Sequence, residues 1–145
     1  MRRFQRDMCH EELVKNLTSG DSAIFKEIWR LLLFAAALGI HNGRRRPLEK
    51  TESGKAIPET YFSTPAWRGF LYLMGVAETG NSACLHGNEE AQEFLVTAFE
   101  EYANNGLHIL AERMSASSTP FDELTSLLLE VVNPAKTGPI VDDLI

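Results

Sequence analysis

The chain of 145 residues is 44% hydrophobic and 23% charged, proportions that suit one soluble globular domain with a sizeable core and leave little room for two. Its net charge of −6 is split unevenly: residues 1–77 carry 12 Lys and Arg against 8 Asp and Glu, and residues 78–145 carry 2 against 12. The longest apolar run, "LLLFAAAL" at 31–38, is far short of the roughly 20 residues a membrane span needs, and the basic start "MRRFQRDMCH" lacks the apolar stretch of a secretory signal, so the expected setting is the cytosol, away from membranes.

In chain order, residues 7–17 read as a short helix, with Met8, Leu13, Val14 and Leu17 at helical spacing. The strongest element follows. Ser19, Asp21 or Ser22 can cap it, Ile24, Phe25, Ile28, Trp29 and Leu32 begin an apolar stripe, and Asn42 or Gly43 can end it in a left-handed turn. From 31 to 38 this helix is apolar all round, so it is expected to be central and covered on every side, with its alanines admitting a close neighbour. Residues 44–62 then change character, with two prolines and a Ser-Gly turn signal. A long loop, with two bridging residues, is preferred over a small β-hairpin.

Thr64 and Pro65 form a cap-plus-proline helix start, and Gly80 is the stop. Gly69 and Gly75 within that helix are expected to mark tight packing. Asn88 caps a further helix with Glu89 and Glu90 in its first turn, where the dipole favours carboxylates. Its inward stripe is Phe94, Leu95, Ala98, Phe99 and Tyr102, and "NNG" at 104–106 predicts a break or a bend. Thr119 and Pro120 repeat the start signal for a last helix, with Phe121, Leu124, Leu127, Leu128 and Val131 inward. The fold class is all-α: a compact bundle of five to six helices with one irregular loop or small hairpin after the second. The organisation is a single helical domain over 1–132 and a loose C-terminal tail over 133–145, whose Ile140, Val141, Leu144 and Ile145 are free to dock elsewhere.

Chemistry is hard to find in these residues. Cys9–His10 and Cys84–His86 could be drawn as a zinc site, but ligands so closely spaced make poor chelating loops. Nor are the two cysteines expected to pair in a reducing cytosol. There is no G-x-S-x-G elbow and no phosphate-cradling glycine motif. The paired acids Glu89–Glu90 and Glu100–Glu101 point about 100° apart on a helix, so one of each pair is expected to face water. A helix-turn-helix reader is disfavoured, since the helix that would enter the groove has five glutamates between 89 and 102 and no Lys or Arg. No catalytic residue, metal or cofactor is assigned. An enzyme would need a pocket gathering His41, His86 or His108 with two carboxylates.

The remaining feature is "GIHNGRRRPLEK". Arg44, Arg45, Arg46, Lys50 and Lys55 place five cations within twelve residues, just past a helix C-terminus where positive charge is favoured. This cluster is either a solvated loop paired with acids of the second half or a contact surface, and arginine's planar fork suits carboxylate and phosphate alike.

The segments "LLLFAAALGIHNGRRRPLEK", "GKAIPETYF" and "FEEYANNGLHIL" resemble the small DNA phosphorothioation-associated proteins of dnd systems, in the family labelled protein 4. The resemblance runs from about Ile24 to Leu129, and Asn105 stands where the family pattern has glycine. It implies a setting rather than a mechanism: such systems place sulfur in the DNA backbone, and a companion restriction machinery attacks DNA lacking it. The chain is accordingly expected to be a non-enzymatic accessory protein of antiviral defence, binding other proteins of that defence system through the 44–55 loop. The alternative is a DNA-binding regulator that contacts phosphates with the same cations. A homodimer also fits the oppositely charged halves.

Overall fold

The computed structural model describes residues 1–21, 23–115 and 119–134. Its elements are α1 (Glu11–Thr18), α2 (Ile28–Asn42), α3 (Trp67–Thr79), α4 (Glu89–Ser115) and α5 (Pro120–Val132), with four short 3-10 turns between and before them. Among the described residues the one β feature is an isolated antiparallel bridge between Phe4 and Ile57. The all-α expectation holds. Two compact units are distinguished by internal contacts, residues 1–109 and 110–145; the expected tail lies, from residue 135 on, outside the described residues.

The first unit is organised by a seam between α2 and α4. A Cβ added at Gly39 would overlap the backbone carbonyl of Tyr102, and one added at Gly106 would overlap the carbonyl of Ala35. Ala35 and Gly39 are four apart on α2, and Tyr102 and Gly106 are four apart on α4. Each helix therefore offers a small residue to the other's backbone one turn along. This seam explains why "NNG" neither breaks nor stops its helix: α4 runs uninterrupted through 104–106. Gly106 is there for closeness, and Asn104 and Asn105 are buried with tertiary partners described below. Within α3 the tight approach falls at Gly75, against Leu95 and Cys84, whereas Gly69 has open space around it.

The basic start of the chain supplies a core side chain, Phe4, and two buried polar ones, Arg6 and Asp7. Phe4 is 1% exposed and meets Phe62, Trp67 and Phe99 at ring-centroid distances of 5.0, 5.4 and 5.3 Å. Phe62 stacks on Trp67 at 4.1 Å, and such pairs add about 0.5–1.5 kcal/mol each beyond area burial. Arg2 reaches α4, donating from Nη1 and Nη2 to the two oxygens of Glu100 at 2.7 and 2.9 Å. The Gln5 amide donates to the same carboxylate at 2.6 Å. Neither member of the Glu100–Glu101 pair is a solvated acid, as the spacing had suggested: Glu100 is buried and Glu101 holds an arginine.

The structure differs from the sequence reading at several points, among them the start of α3, which begins at Trp67 behind Ala66 and not at Pro65 behind Thr64. The first helix is preceded by a 3-10 turn, Met8–His10, because the Asp7 side chain accepts the Cys9 amide and caps it there. Residues 19–21 and 23–27 are not helical. Gly20 adopts φ 86°, and the chain doubles back so that the amides of Ile24 and Phe25 donate to the Leu17 carbonyl at the end of α1, leaving Glu27 as an extended N-cap. The bridging of the 44–62 loop is to the N-terminal segment, with Phe4 and Ile57 exchanging backbone hydrogen bonds at 2.8 and 3.0 Å. Other signals land where expected: Gly43 ends α2 at φ 79°, Gly80 ends α3 at φ 73°, and Asn88 Oδ1 accepts the Ala91 amide at 2.8 Å.

Two expectations of coverage fail. One side of α2 is left open: Leu33 and Phe34 are half-buried and Ala37 exposed, while Ala35, Ala36 and Leu38 are sealed. In the second unit, Phe121 and Leu128 of α5 are 67% and 40% exposed, and only Leu124 and Leu127 are buried. Residues 124 and 127 share one face of the helix, and 121 and 128 are centred about 80° round from it. Within that unit Arg113 pairs with Glu130 at 2.5 Å.

Candidate partner-binding loop

The loop after α2 is fixed along most of its backbone. Gly43 donates to the carbonyls of Gly39 and Ile40 at 3.0 Å each, satisfying the helix end. Three residues on, the Arg46 amide donates to the Glu101 carbonyl at 3.0 Å. Asn104 then takes the loop from the other side, its Nδ2 donating to the carbonyls of Arg46 and Pro47 at 3.1 and 3.2 Å. Asn105 Nδ2 donates to Asn42 Oδ1 at 3.0 Å. The N-terminal segment closes the far edge: the Glu49 amide donates to Asp7 Oδ2 at 2.7 Å, the Met8 amide to the Lys50 carbonyl at 2.8 Å, and Arg6 Nη1 to the Lys55 carbonyl at 2.8 Å.

The five cations do not share one fate. Arg45 turns inward, pairing with Glu78 at 2.9 Å and Glu101 at 3.1 Å with its guanidinium near the faces of Phe94 and Tyr102. The Tyr102 hydroxyl donates to Glu78. That hydroxyl, and then Arg45, hold the Glu78 carboxyl below its usual value, while burial and the Glu78 bond push Tyr102 up to about 12. Lys55 pairs with Glu11 at 3.1 Å, which also holds the buried Arg6 at 2.7 Å. Arg44, Arg46 and Lys50 are exposed and make no ion pair among the described residues. The structure thus separates two cations that hold the fold from three whose heads face solvent.

A small buried polar layer lies beneath the loop. His10 is 7% exposed; burial lowers its pKa first, with His108 and Arg46 acting the same way and Asp7 and Asn104 opposing. Burial alone would raise the Asp7 carboxyl, but the amides of Glu49, Cys9 and Lys50 outweigh it and hold the group low. Cys9 is exposed as a residue, yet desolvation of its thiol and the adjacent Asp7 push it up to about 11. It therefore stays protonated and unreactive at neutral pH.

The sequence reading found the arginines and missed what holds them: Asp7, Glu78, Glu101 and Asn104. The two adjacent asparagines in an otherwise apolar helical stretch were the available signal, since mid-helix asparagine is unfavourable unless its side chain is used. Among the described residues no group of three or more His, Cys, Asp or Glu could hold a metal ion, and both cysteines are free. A cavity of about 320 Å³ near Cys84 includes His86 and Glu90 but neither His41 nor His108. No helix of the described residues is long and apolar enough to cross a membrane.

Neither a curated protein nor a solved structure matches the chain. A family model, that of DNA sulphur modification system-associated protein 4, matches residues 3–139. The segments that carried the resemblance are those now seen in contact, with 35–39 and 44–47 against 101–106. The match spans nearly the whole chain, including the N-terminal segment that braces the loop, and the chain belongs to the family of DNA sulphur modification system-associated protein 4.

Proposed function

We propose that this chain is an accessory protein of a DNA sulphur modification system, without a reaction of its own, that works in the cytoplasm by binding another protein of that system. Its setting on this reading is antiviral defence, beside the restriction activity that distinguishes modified from unmodified DNA. The carrying observation is the contrast within the loop: a backbone held by Glu101, Asn104 and Asp7 presents Arg44, Arg46 and Lys50 unpaired among the described residues. A surface ordered before binding loses little entropy on association, and unpaired guanidinium groups suit carboxylates on a partner.

The test is co-purification from the native host with Arg44→Ala, Arg46→Ala and Lys50→Ala combined, which leaves the Arg45 and Lys55 pairs intact. The wild type is expected to retain a protein of the sulphur modification system and the triple variant to lose it. Equal recovery by both overturns the reading. The same three cations also fit DNA phosphates, and that alternative carries its own signature. Affinity for a duplex, plain or phosphorothioated, would fall with salt with a log–log slope no steeper than about −3, for at most three neutralised phosphates. Absence of binding at low salt removes it.

A further inference from the structure

The open side of α2 borders a groove of about 840 Å³ in the first unit, walled by Leu33, Phe34, Ala37 and Phe70. Lys26 and Arg30 are the charged residues of its lining among the described residues, and no acid lines it. Arg30 has an exposed partner in Glu27 at 3.2 Å, and Lys26 makes no ion pair among the described residues. A helix that is apolar all round should be covered all round, and here Leu33, Phe34 and Ala37 are left partly or wholly exposed.

The second unit offers an exposed apolar surface of the complementary kind. Phe121, Leu128, Leu129 and Val132 are 67, 40, 57 and 71% exposed. Phe121, Leu128 and Val132 lie on one side of α5 by helical spacing, with Leu129 and Asp122 beside them. The helix carries Asp122, Glu123 and Glu130 and no Lys or Arg. It is an acidic amphipathic helix whose outward stripe is exposed.

We propose that the groove on α2 is the docking site for α5 of a second copy of this chain. Phe121, Leu128 and Val132 enter against Leu33, Phe34 and Ala37, and Asp122 meets Lys26 and Arg30. This is the helix-in-groove mode of recognition. If each copy gives its helix to the other's groove, the arrangement closes as a two-fold dimer instead of growing into a filament. The charge of the chain fits this exchange, since the groove belongs to the positive half and the helix to the negative half. The inference is independent of the arginine loop, so either can fail without the other.

The experiment is sedimentation equilibrium on three proteins: wild type, a groove variant Ala37→Arg, and a helix variant Val132→Lys. Both substitutions fall at exposed positions, and circular dichroism would verify that each variant keeps its helices. Wild type is expected to dimerise below roughly 100 µM, where a micromolar contact is saturated, and to dissociate more readily at high salt. Each variant alone should show at least a tenfold weaker association. A mixture of the two retains one intact groove and one intact helix, and should associate more than either alone. A wild type that stays monomeric, a dimer indifferent to both substitutions, or a mixture no better than its components would overturn the proposal.

Discussion

The two long sides of α2 are made of the same class of residue and behave oppositely. On one, Ala35 and Gly39 are sealed against the backbone of α4. On the other, Leu33 and Phe34 border an open groove. Hydrophobicity does not tell these sides apart; what marks the closed one is Ala35 and Gly39 placed one turn apart, with Leu31 and Leu32 buried beside them. Small residues one turn apart let two backbones approach until no larger group fits, so that side has one possible neighbour, fixed within the chain. Large residues hold a neighbour at side-chain distance, and such a surface can be completed by another molecule.

The closed side should be the more fragile. Gly106→Ala places a methyl group on the Ala35 carbonyl and Gly39→Ala one on the Tyr102 carbonyl. Although alanine favours a helix by about 1 kcal/mol over glycine, overlap with rigid backbone should win. Each change is expected to cost at least about 2 kcal/mol in urea denaturation, and leucine at either site should prevent folding. A neutral or stabilising Gly106→Ala would mean the seam is looser than described.

That seam was only half legible in the sequence. The alanines of α2 promised a close neighbour, and the termini at Gly43, Gly80 and Asn88 were readable because each depends on one residue's own conformational or capping preference. Of the break or bend that "NNG" predicts, the break does not occur, because its glycine serves tertiary closeness, which no local pattern displays. The order of the N-terminal segment was not legible for a related reason: a short extended strap draws it from Glu100, Ile57 and Lys50, 42 or more positions away. The arginine cluster was visible as composition. Its division into inward and outward cations depends on Glu78 and Glu101 and could not be.

Next in size is the strap. Glu100→Ala removes the acceptor of Arg2 and of the Gln5 amide at a buried position, and a lost charge-assisted network of this kind costs about 2–3 kcal/mol. A change below about 0.5 kcal/mol would show that the N-terminal segment is decoration. Arg45→Ala should cost about 1–2 kcal/mol, less than a fully buried pair because a quarter of its side chain is exposed, whereas Arg44→Ala should be neutral.

Acidification gives a smaller and more specific effect. The folded pKa of His10 is lowered by burial, so the unfolded chain takes up a proton below about pH 6.5 before the folded one does. Stability then falls with decreasing pH, by no more than about 1.4 kcal/mol per unit from this one group, until the folded pKa is reached. His10→Gln should flatten the curve in that interval. Asp7 is held low and acts further down, its contribution being lost only as pH falls through its folded value. An unchanged curve between pH 6.5 and 5 in the variant would exclude His10. Smallest of all, Ala37→Arg on the open side should alter stability by no more than about 0.5 kcal/mol, however strongly it affects association.

The loop repeats the lesson of α2 in charge: Arg45 belongs to the fold and its neighbours Arg44 and Arg46 to the outside. Measuring urea midpoint and recovery of the partner protein together, for Arg45→Ala and for the combined Arg44→Ala, Arg46→Ala and Lys50→Ala variant, tests this most directly. A crossed result is expected, with the single variant losing stability while the triple variant keeps its midpoint and loses the partner. A triple variant that recovers the partner as well as wild type does would contradict the account.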